Sequence, residues 1–530
     1  MNVTLLFYPE IKYELDSKNE KIGYYIFFTG LFALSASISV SKFTTSLSII
    51  LMAVAWLVKW DWKQKWKGLQ DNYKLLLAST GLFLIFVIGL FYSEDMKFGW
   101  KDVKVKTPLF ILPVLFTTSY SINRKQIITA FILMTSSAIT ATIIGFVNYN
   151  LNYNTASEWV DLRIISPFIS LIRLSLILCV GFGLGLWGLI KLKHISKWFL
   201  IIPLCWIVFI LGYSQSLTGI VLIPIIVVLF IKFIVKGQKL LTVTLSAILL
   251  AVFAYSGLQI YHVYKLVFIN HEDVALEKTK SGVDYFHDFK NKSTENGHYV
   301  YRNINKNEVE LEWAKRSTLN LKEIRNGYNY FPILYRYLAS KGLTKDSTGI
   351  AALSNEDIHY IENGLTNVFF TDCNPVSKRV YQSFWEINEA IQSGHFKGNS
   401  ITMRFIFWKT GAKLFKDNWL FGVGTGDVKK SFLSEYGKST NGEVRKFKLR
   451  SHNQYLSTGI ALGVVGLFIF LFIIVYYWSS YSGSLNFLFI ITQAVLILGM
   501  FWEDTLETQA GVTIFALLTS LLLFEKKDDK

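Results

Sequence analysis

Charge is scarce in this chain. Asp, Glu, Lys and Arg make up 17% of its 530 residues, against 52% hydrophobic ones. Ordinary soluble domains carry about 25% charged residues, so a soluble globular protein is excluded. Cysteine is scarcer still: Cys179, Cys205 and Cys373. Only Cys373 falls in a long polar segment, so no disulfide framework can staple that segment. The eight histidines are scattered without metal-ligand spacing, and no metal site or other cofactor is expected. With eight prolines and no half-to-half symmetry, the broken, paired spans of a transporter or flippase are not in view. Internal repeats and low-complexity tracts are absent. No cleavable signal peptide is evident, because residues 1–22 are largely polar and the first apolar run has span length.

What the chain does have is long apolar runs. Ten stand out: Tyr24–Val40, Leu75–Phe91, Ile127–Val147, Leu174–Leu189, Trp198–Leu211, Ile220–Phe233, Leu240–Val263, Tyr455–Trp478, Leu485–Met500 and Val512–Leu523. Thr44–Val58 and Pro108–Thr118 are weaker. With their flanks most approach the roughly 20 residues that cross a hydrocarbon core, which predicts about twelve spans. The net charge of +16 does not mark a nucleic-acid binder. Lysines and arginines crowd every second connector, as in Lys59 to Lys74, Arg124–Lys125, Lys191 to Lys197 and Lys236–Lys239. That is the positive-inside pattern, and it predicts both termini in the cytoplasm. Only the connector Lys97–Lys106 runs against it.

Three blocks follow. Residues 1–261 hold about nine spans by length and hydropathy. Residues 262–398 are the one long polar stretch, predicted to lie outside the cytoplasm. The pairs Val309–Trp313, Ile333–Tyr337 and Leu334–Leu338 recur at helical spacing, so a compact, mostly helical domain is expected. Residues 399–530 return to the membrane. The fold class is all-α.

Four features could carry chemistry. Asn399–Asp417 reads as an interfacial amphipathic helix, capped by Asn399 or Ser400, with a stripe of Ile401, Phe405, Trp408, Ala412 and Phe415. Arg404 borders that stripe and would reach the site or snorkel to headgroups. Gly422-Val-Gly-Thr-Gly426 would let backbone approach a phosphate, or would simply turn the chain. His452, beside Asn453 at the start of an apolar run, is placed to exchange protons. Arg173 lies inside an apolar run, where an arginine costs about 2.5 kcal/mol or more and is a functional signal by default. The alternative is a structural pair with Glu503, Asp504 or Glu507.

Together these resemble the O-antigen ligase and polymerase family. His452-Asn453, nine residues, Gly463, two residues and Gly466 is similar to the family's hallmark. Arg404, Trp408 and the glycine turn match the pattern upstream of it. Arg173 and the segment Asp504-Thr-Leu-Glu507-Thr-Gln509 are similar to residues of Bacteroidetes-type relatives. Many members carry Ser-Arg-x-Gly where this chain has Ser216-Leu217-Thr218-Gly219, and Pro where it has Trp419. The resemblance implies a GT-C-like enzyme of the bacterial inner membrane with its site facing the periplasm. It would transfer a glycan from undecaprenyl pyrophosphate, without a metal, to a lipid A–core hydroxyl. A polymerase, or a protein O-oligosaccharyltransferase, would share these motifs. The implied catalytic residues are His452, Arg404 and Arg173, with Arg163, Trp408, Gly424, Asn453 and Glu507 contacting substrate. Membrane lipid and the lipid-linked donor are the implied partners, and nucleic acid is not.

Overall fold

A computed structural model describes residues 18–152, 162–192, 196–235, 238–271, 273–322, 329–393 and 400–526. Asn399, one of the two expected caps, and Lys193 and Lys236 of the basic connectors lie outside these. The chain is 72% helical with almost no sheet. It has the helices of a multi-pass membrane protein. Each of the twelve apolar runs is helical over all or most of its length, but the count of twelve spans does not follow. Among the described residues, five helices are long and apolar enough to cross a membrane: Tyr73–Leu90, Arg124–Asn152, Leu171–Lys191, Lys239–Phe268 and Gln454–Ser480. A sixth span results if Lys42–Val58 and Trp62–Asp71, bent by 116°, are taken as one. Trp198–Tyr213, Leu217–Phe233, Asn486–Gly499 and Gln509–Leu523 are apolar but shorter. Hydropathy measures how apolar a run is, while turns and neighbouring helices decide how far it stays helical.

Leu171–Lys191 is the central helix, with 72% of its apolar window buried. Its sequence Gly181-Phe-Gly-Leu-Gly185 explains this. A Cβ at Gly181 would meet Thr135 at 2.3 Å, one at Gly183 would meet Ile491 at 2.6 Å, and one at Gly185 would meet Leu204 at 2.8 Å. Three helices therefore approach it more closely than any larger residue permits. Arg173 sits in its first turn. A cavity of about 530 Å³, lined by Arg124, Trp187 and Lys191 among others, lies at its opposite end, away from the motif residues.

The basic connectors are partly structural. Lys59 and Lys65 are 4% and 2% exposed and donate to the carbonyls of Ser119 and Trp56. Lys106, in the connector that broke the charge pattern, is fully enclosed and paired with acids.

The polar segment has a core of its own. All six residues of the expected helical pairs are buried there, on Lys306–Ala314 and Phe331–Ser340. The expected boundary at 261 falls inside the helix Lys239–Phe268, whose last turns pack Val263 and Val267 against Tyr381. Asn296-Gly297, both at positive φ, turns a two-stranded hairpin, Thr294–Glu295 with His298–Tyr299. The segment ends in the helix Pro375–Ser393, which packs on Ser400–Asp417.

The two glycine motifs form one piece of scaffold. The helix Gln454–Ser480 breaks at Gly463, at φ 64° and ψ −167°. The break frees carbonyls of the preceding turn. Val423 and Gly424 donate to Ile460 and Ala461 at 2.8 and 2.9 Å, and Val464 donates back to Trp419 at 2.7 Å. A Cβ at Gly463 would stand 2.2 Å from the Leu420 carbonyl oxygen. We predict that Gly463→Ala destabilises the protein by at least about 1–2 kcal/mol from the left-handed backbone alone, before any clash. Thermal unfolding in detergent measures this, and an unchanged melting temperature would contradict it.

Candidate functional site

His452 is held in place from both sides. It adopts φ 48°, a left-handed conformation that a non-glycine residue keeps only when its surroundings impose it. On one side Ser451 is buried and shares a hydrogen bond of 2.7 Å with Ser457. On the other, Asn453 caps the helix Gln454–Ser480 by accepting from the Leu456 N–H at 3.0 Å. Its amide donates to the Phe501 carbonyl at 2.9 Å. Gln454 donates its backbone N–H to Met500 at 2.9 Å and accepts from the Leu506 N–H at 2.7 Å. Both polar atoms of the Asn453 side chain, expected to contact substrate, are thus engaged within the protein. The histidine segment is stitched to the loop that carries Glu503, Asp504 and Glu507.

That stitching brings acids to the imidazole. His452 Nδ1 lies 3.5 Å from Asp504 Oδ1, within ion-pair reach but too far for a hydrogen bond. Donor atoms of His452, Glu503 and Asp504 lie within 4.8 Å of one another, the one such group among the described residues that could hold a metal ion. Histidine spacing alone could not reveal it, because the carboxylates come from another segment. One member of the group, Glu503, is also ion-paired to Arg173 through Oε1. The His452 side chain is 29% exposed, so a hydroxyl can reach it.

Both motif arginines converge here. Arg173 forms that ion pair through one terminal nitrogen, and its Nε is buried without a hydrogen-bond partner. Arg404 Nε is likewise buried and unpartnered. Phe407, one turn on from Arg404, packs on the His452 ring with centroids 5.8 Å apart. Burial works against the Arg404 charge, while Glu503 and Asp504 favour it. Trp408 Nε1 and Trp502 Nε1 are two further buried donors without partners. Buried donors in folded proteins are nearly always satisfied, so those of Arg173 and Arg404, both in electrostatic contact with Glu503, leave room for a ligand with acceptor oxygens. Ser216 shares a 2.7 Å hydrogen bond with Ser175, two residues from Arg173.

The stripe expected on Ser400–Asp417 is not its packing face. Phe405 is 57% exposed and Ala412 is exposed, while Thr402, Phe407, Gly411 and Leu414 are buried. The glycine turn is committed to scaffold. Gly424 is buried and its N–H is taken by Ala461, so it has no donor for a phosphate. Asp427 accepts the backbone N–H groups of Glu94 and Asp95 at 2.6 and 3.0 Å, which occupies it as a cap.

Glu507 is enclosed in ion pairs. Lys106 lies 2.9 Å away and Arg450 2.5 Å away, and both also reach Asp102. Burial opposes its charge, but the two cations outweigh burial and hold its carboxyl down at about 2. It faces its partners rather than His452. Of the lysines in the connector that ran against the charge pattern, Lys106 is the one that pairs with it.

Two site residues come from the polar segment, and sequence reading missed both. On Pro375–Ser393, Arg379 lies 3.7 Å from Glu386. Glu386 accepts the Ile401 N–H and so holds the start of the helix that carries Arg404. Burial raises its carboxyl, against the pull of Arg379, Arg163 and Arg404. Arg163 sits exposed on the turn Leu162–Ile165 and completes this basic rim. Glu386 and Arg379 carried no signal in the sequence, since they join the site only through the packing of their helix.

Residues 364–471 match the family model described as O-antigen ligase. The match takes in Arg379, Glu386, Arg404, the glycine turn, His452 and Gly466. Arg173 and the loop of Glu503 and Glu507 lie outside it. No curated protein matches the chain. The match supports an O-antigen ligase-type membrane glycosyltransferase.

The ion cluster around Glu507 makes a prediction about stability. Removing one partner of a buried pair strands the others, at a cost of about 3–5 kcal/mol. Glu507→Gln is expected to lower the unfolding temperature sharply at neutral pH. The carboxyl is depressed, so its contribution is full above the ordinary carboxylate range and is lost as pH falls toward 2. A Glu507→Gln protein as stable as the parent at pH 7 would show the cluster to be dispensable.

Proposed function

We propose that this protein transfers a glycan from undecaprenyl pyrophosphate to an acceptor hydroxyl at the periplasmic face of the bacterial inner membrane, with lipid A–core as the acceptor. The observation that carries this reading is the pair of buried, unpartnered guanidinium Nε atoms of Arg173 and Arg404 beside a partly exposed histidine. A lipid pyrophosphate is a leaving group on which charge builds as the glycosidic bond breaks. Guanidinium forks bind such oxygens bidentately and stay charged.

The reaction then balances as follows. The acceptor oxygen bonds to the anomeric carbon. The bond from that carbon to the pyrophosphate oxygen breaks, and its electrons leave with the pyrophosphate. The acceptor proton passes to His452, whose imidazolium lies beside Asp504. Arg173 and Arg404 meet the charge on the leaving group, and Arg163 and Arg379 stand at the rim. Fixed cations of this kind supply the stabilisation that a metal supplies elsewhere, so the proposal invokes no metal. Trp408 and Trp502 are indole donors for the remaining oxygens.

The test is complementation of a deletion strain, read on a lipopolysaccharide gel. Deletion should leave the lipid-linked polymer accumulated and unattached. A polymerase would instead leave single repeats, and a protein glycosylation enzyme would leave lipopolysaccharide intact. His452→Ala should fail to restore attachment, because losing a general base costs about a hundredfold to ten-thousandfold in rate. It should still bind undecaprenyl pyrophosphate. Arg404→Lys should bind that lipid more weakly even though charge is kept, since an ammonium lacks the bidentate fork. Near-normal attachment by His452→Ala would remove the base assignment.

A further inference from the structure

Glu503 stands between the two halves of the proposed site. Its side chain is 4% exposed and paired with the Arg173 guanidinium. The same carboxylate lies within 4.8 Å of both His452 and Asp504. It is also in electrostatic contact with Arg404. The family match does not reach it, and its pairing with Arg173 does not settle what it does.

An arginine neutralised by a carboxylate is a poor anion site until that carboxylate leaves. A pyrophosphate is the stronger competitor, because it carries more charge and offers more oxygens to a planar fork. The displaced carboxylate is then in difficulty. It is buried, and an unpaired buried charge costs several kcal/mol. The backbone of the loop holding it is pinned on either side, by Asn453 at Phe501 and by Gln454 at Leu506, so only its side chain turns. Among the described residues, the cations and imidazole in electrostatic contact with it are Arg173, His452 and Arg404, while the Asp504 carboxylate opposes its charge. Two of these are the pyrophosphate clamp. The third is the imidazole.

We propose that Glu503 is a positioning residue that couples donor binding to the base: it holds Arg173 until the donor pyrophosphate takes that place, and then faces His452, whose imidazolium it stabilises. Proton transfer from the acceptor hydroxyl is favoured only once the donor is seated. The order suits the chemistry, because a histidine activated without a donor would serve no transfer. Asp504, 3.5 Å from the ring, keeps the imidazole oriented in both states. No atom is added by this step. The proton moves from acceptor oxygen to imidazole, and Glu503 changes its partner from one cation to another.

The inference rests on the reading of Arg173 as a donor clamp, and the experiment separates the two. Wild-type and Glu503→Gln proteins are reconstituted in lipid nanodiscs. Binding of undecaprenyl pyrophosphate is measured, and turnover is followed with lipid-linked glycan extracted from the deletion strain. The amide cannot neutralise Arg173, so Glu503→Gln should bind undecaprenyl pyrophosphate several-fold tighter. It cannot stabilise the imidazolium either, so kcat should fall by roughly tenfold or more. A merely structural pair would not give this split, because breaking such a pair does not improve ligand binding. If Glu503→Gln fails to fold, Glu503→Asp keeps the charge but shortens the reach to Arg173, and it should show the same tightening. Weaker or unchanged donor binding in the folded variant, or wild-type kcat, overturns the coupling. Failure of the wild-type protein to bind undecaprenyl pyrophosphate at all overturns the clamp and the coupling with it.

Discussion

Buried charge must be paired, and this site is organised around that requirement. The loop after Gly499 carries Glu503 and Glu507, each side chain almost wholly enclosed. Glu507 is neutralised twice, by Lys106 and Arg450, and so has no charge left to offer a substrate. Glu503 is neutralised once, by an arginine that keeps an unpartnered donor. The first arrangement is closed and serves the fold. The second leaves a donor free, and in the proposed mechanism it is exchanged for the donor pyrophosphate.

The scaffold is built from glycine and backbone rather than from side chains. The break at Gly463 and the turn Gly422–Gly426 satisfy one another's backbone groups. That fixes where Ser400–Asp417 ends relative to Gln454–Ser480. Phe407 then meets His452, and Arg404 lies one helical turn from that contact. The polar segment takes part as well. Glu386 holds the first turn of the same helix, so the domain outside the spans helps to aim Arg404.

Much of this was legible in the sequence, and the exceptions share a cause. Apolar runs marked the helices because burial in lipid demands them. Arg173 announced itself because charge in an apolar run is costly. Val309 and Trp313 announced a helical core by their spacing. What pattern could not show was partnership across the fold. Glu507 was read as a substrate contact because nothing local says that Lys106, about four hundred positions earlier, lies against it. Arg379 and Glu386 look like ordinary surface charges on an amphipathic helix until that helix is docked. Gly424 fitted a phosphate loop as well as it fits a turn, and only its donated N–H decides. Asn296-Gly297 was a legible hairpin signal, passed over within a segment read as helical. Hydropathy alone did not fix the number of spans, since it cannot measure how far a helix runs.

The central claim is that Arg173 and Arg404 share one pyrophosphate beside His452. A cryo-EM structure of the protein with undecaprenyl pyrophosphate tests it most directly. The account predicts diphosphate density between the two guanidiniums, with Arg173 released from Glu503 and the Glu503 carboxylate turned to the imidazole. Diphosphate bound elsewhere, with the Arg173–Glu503 pair intact, would contradict it.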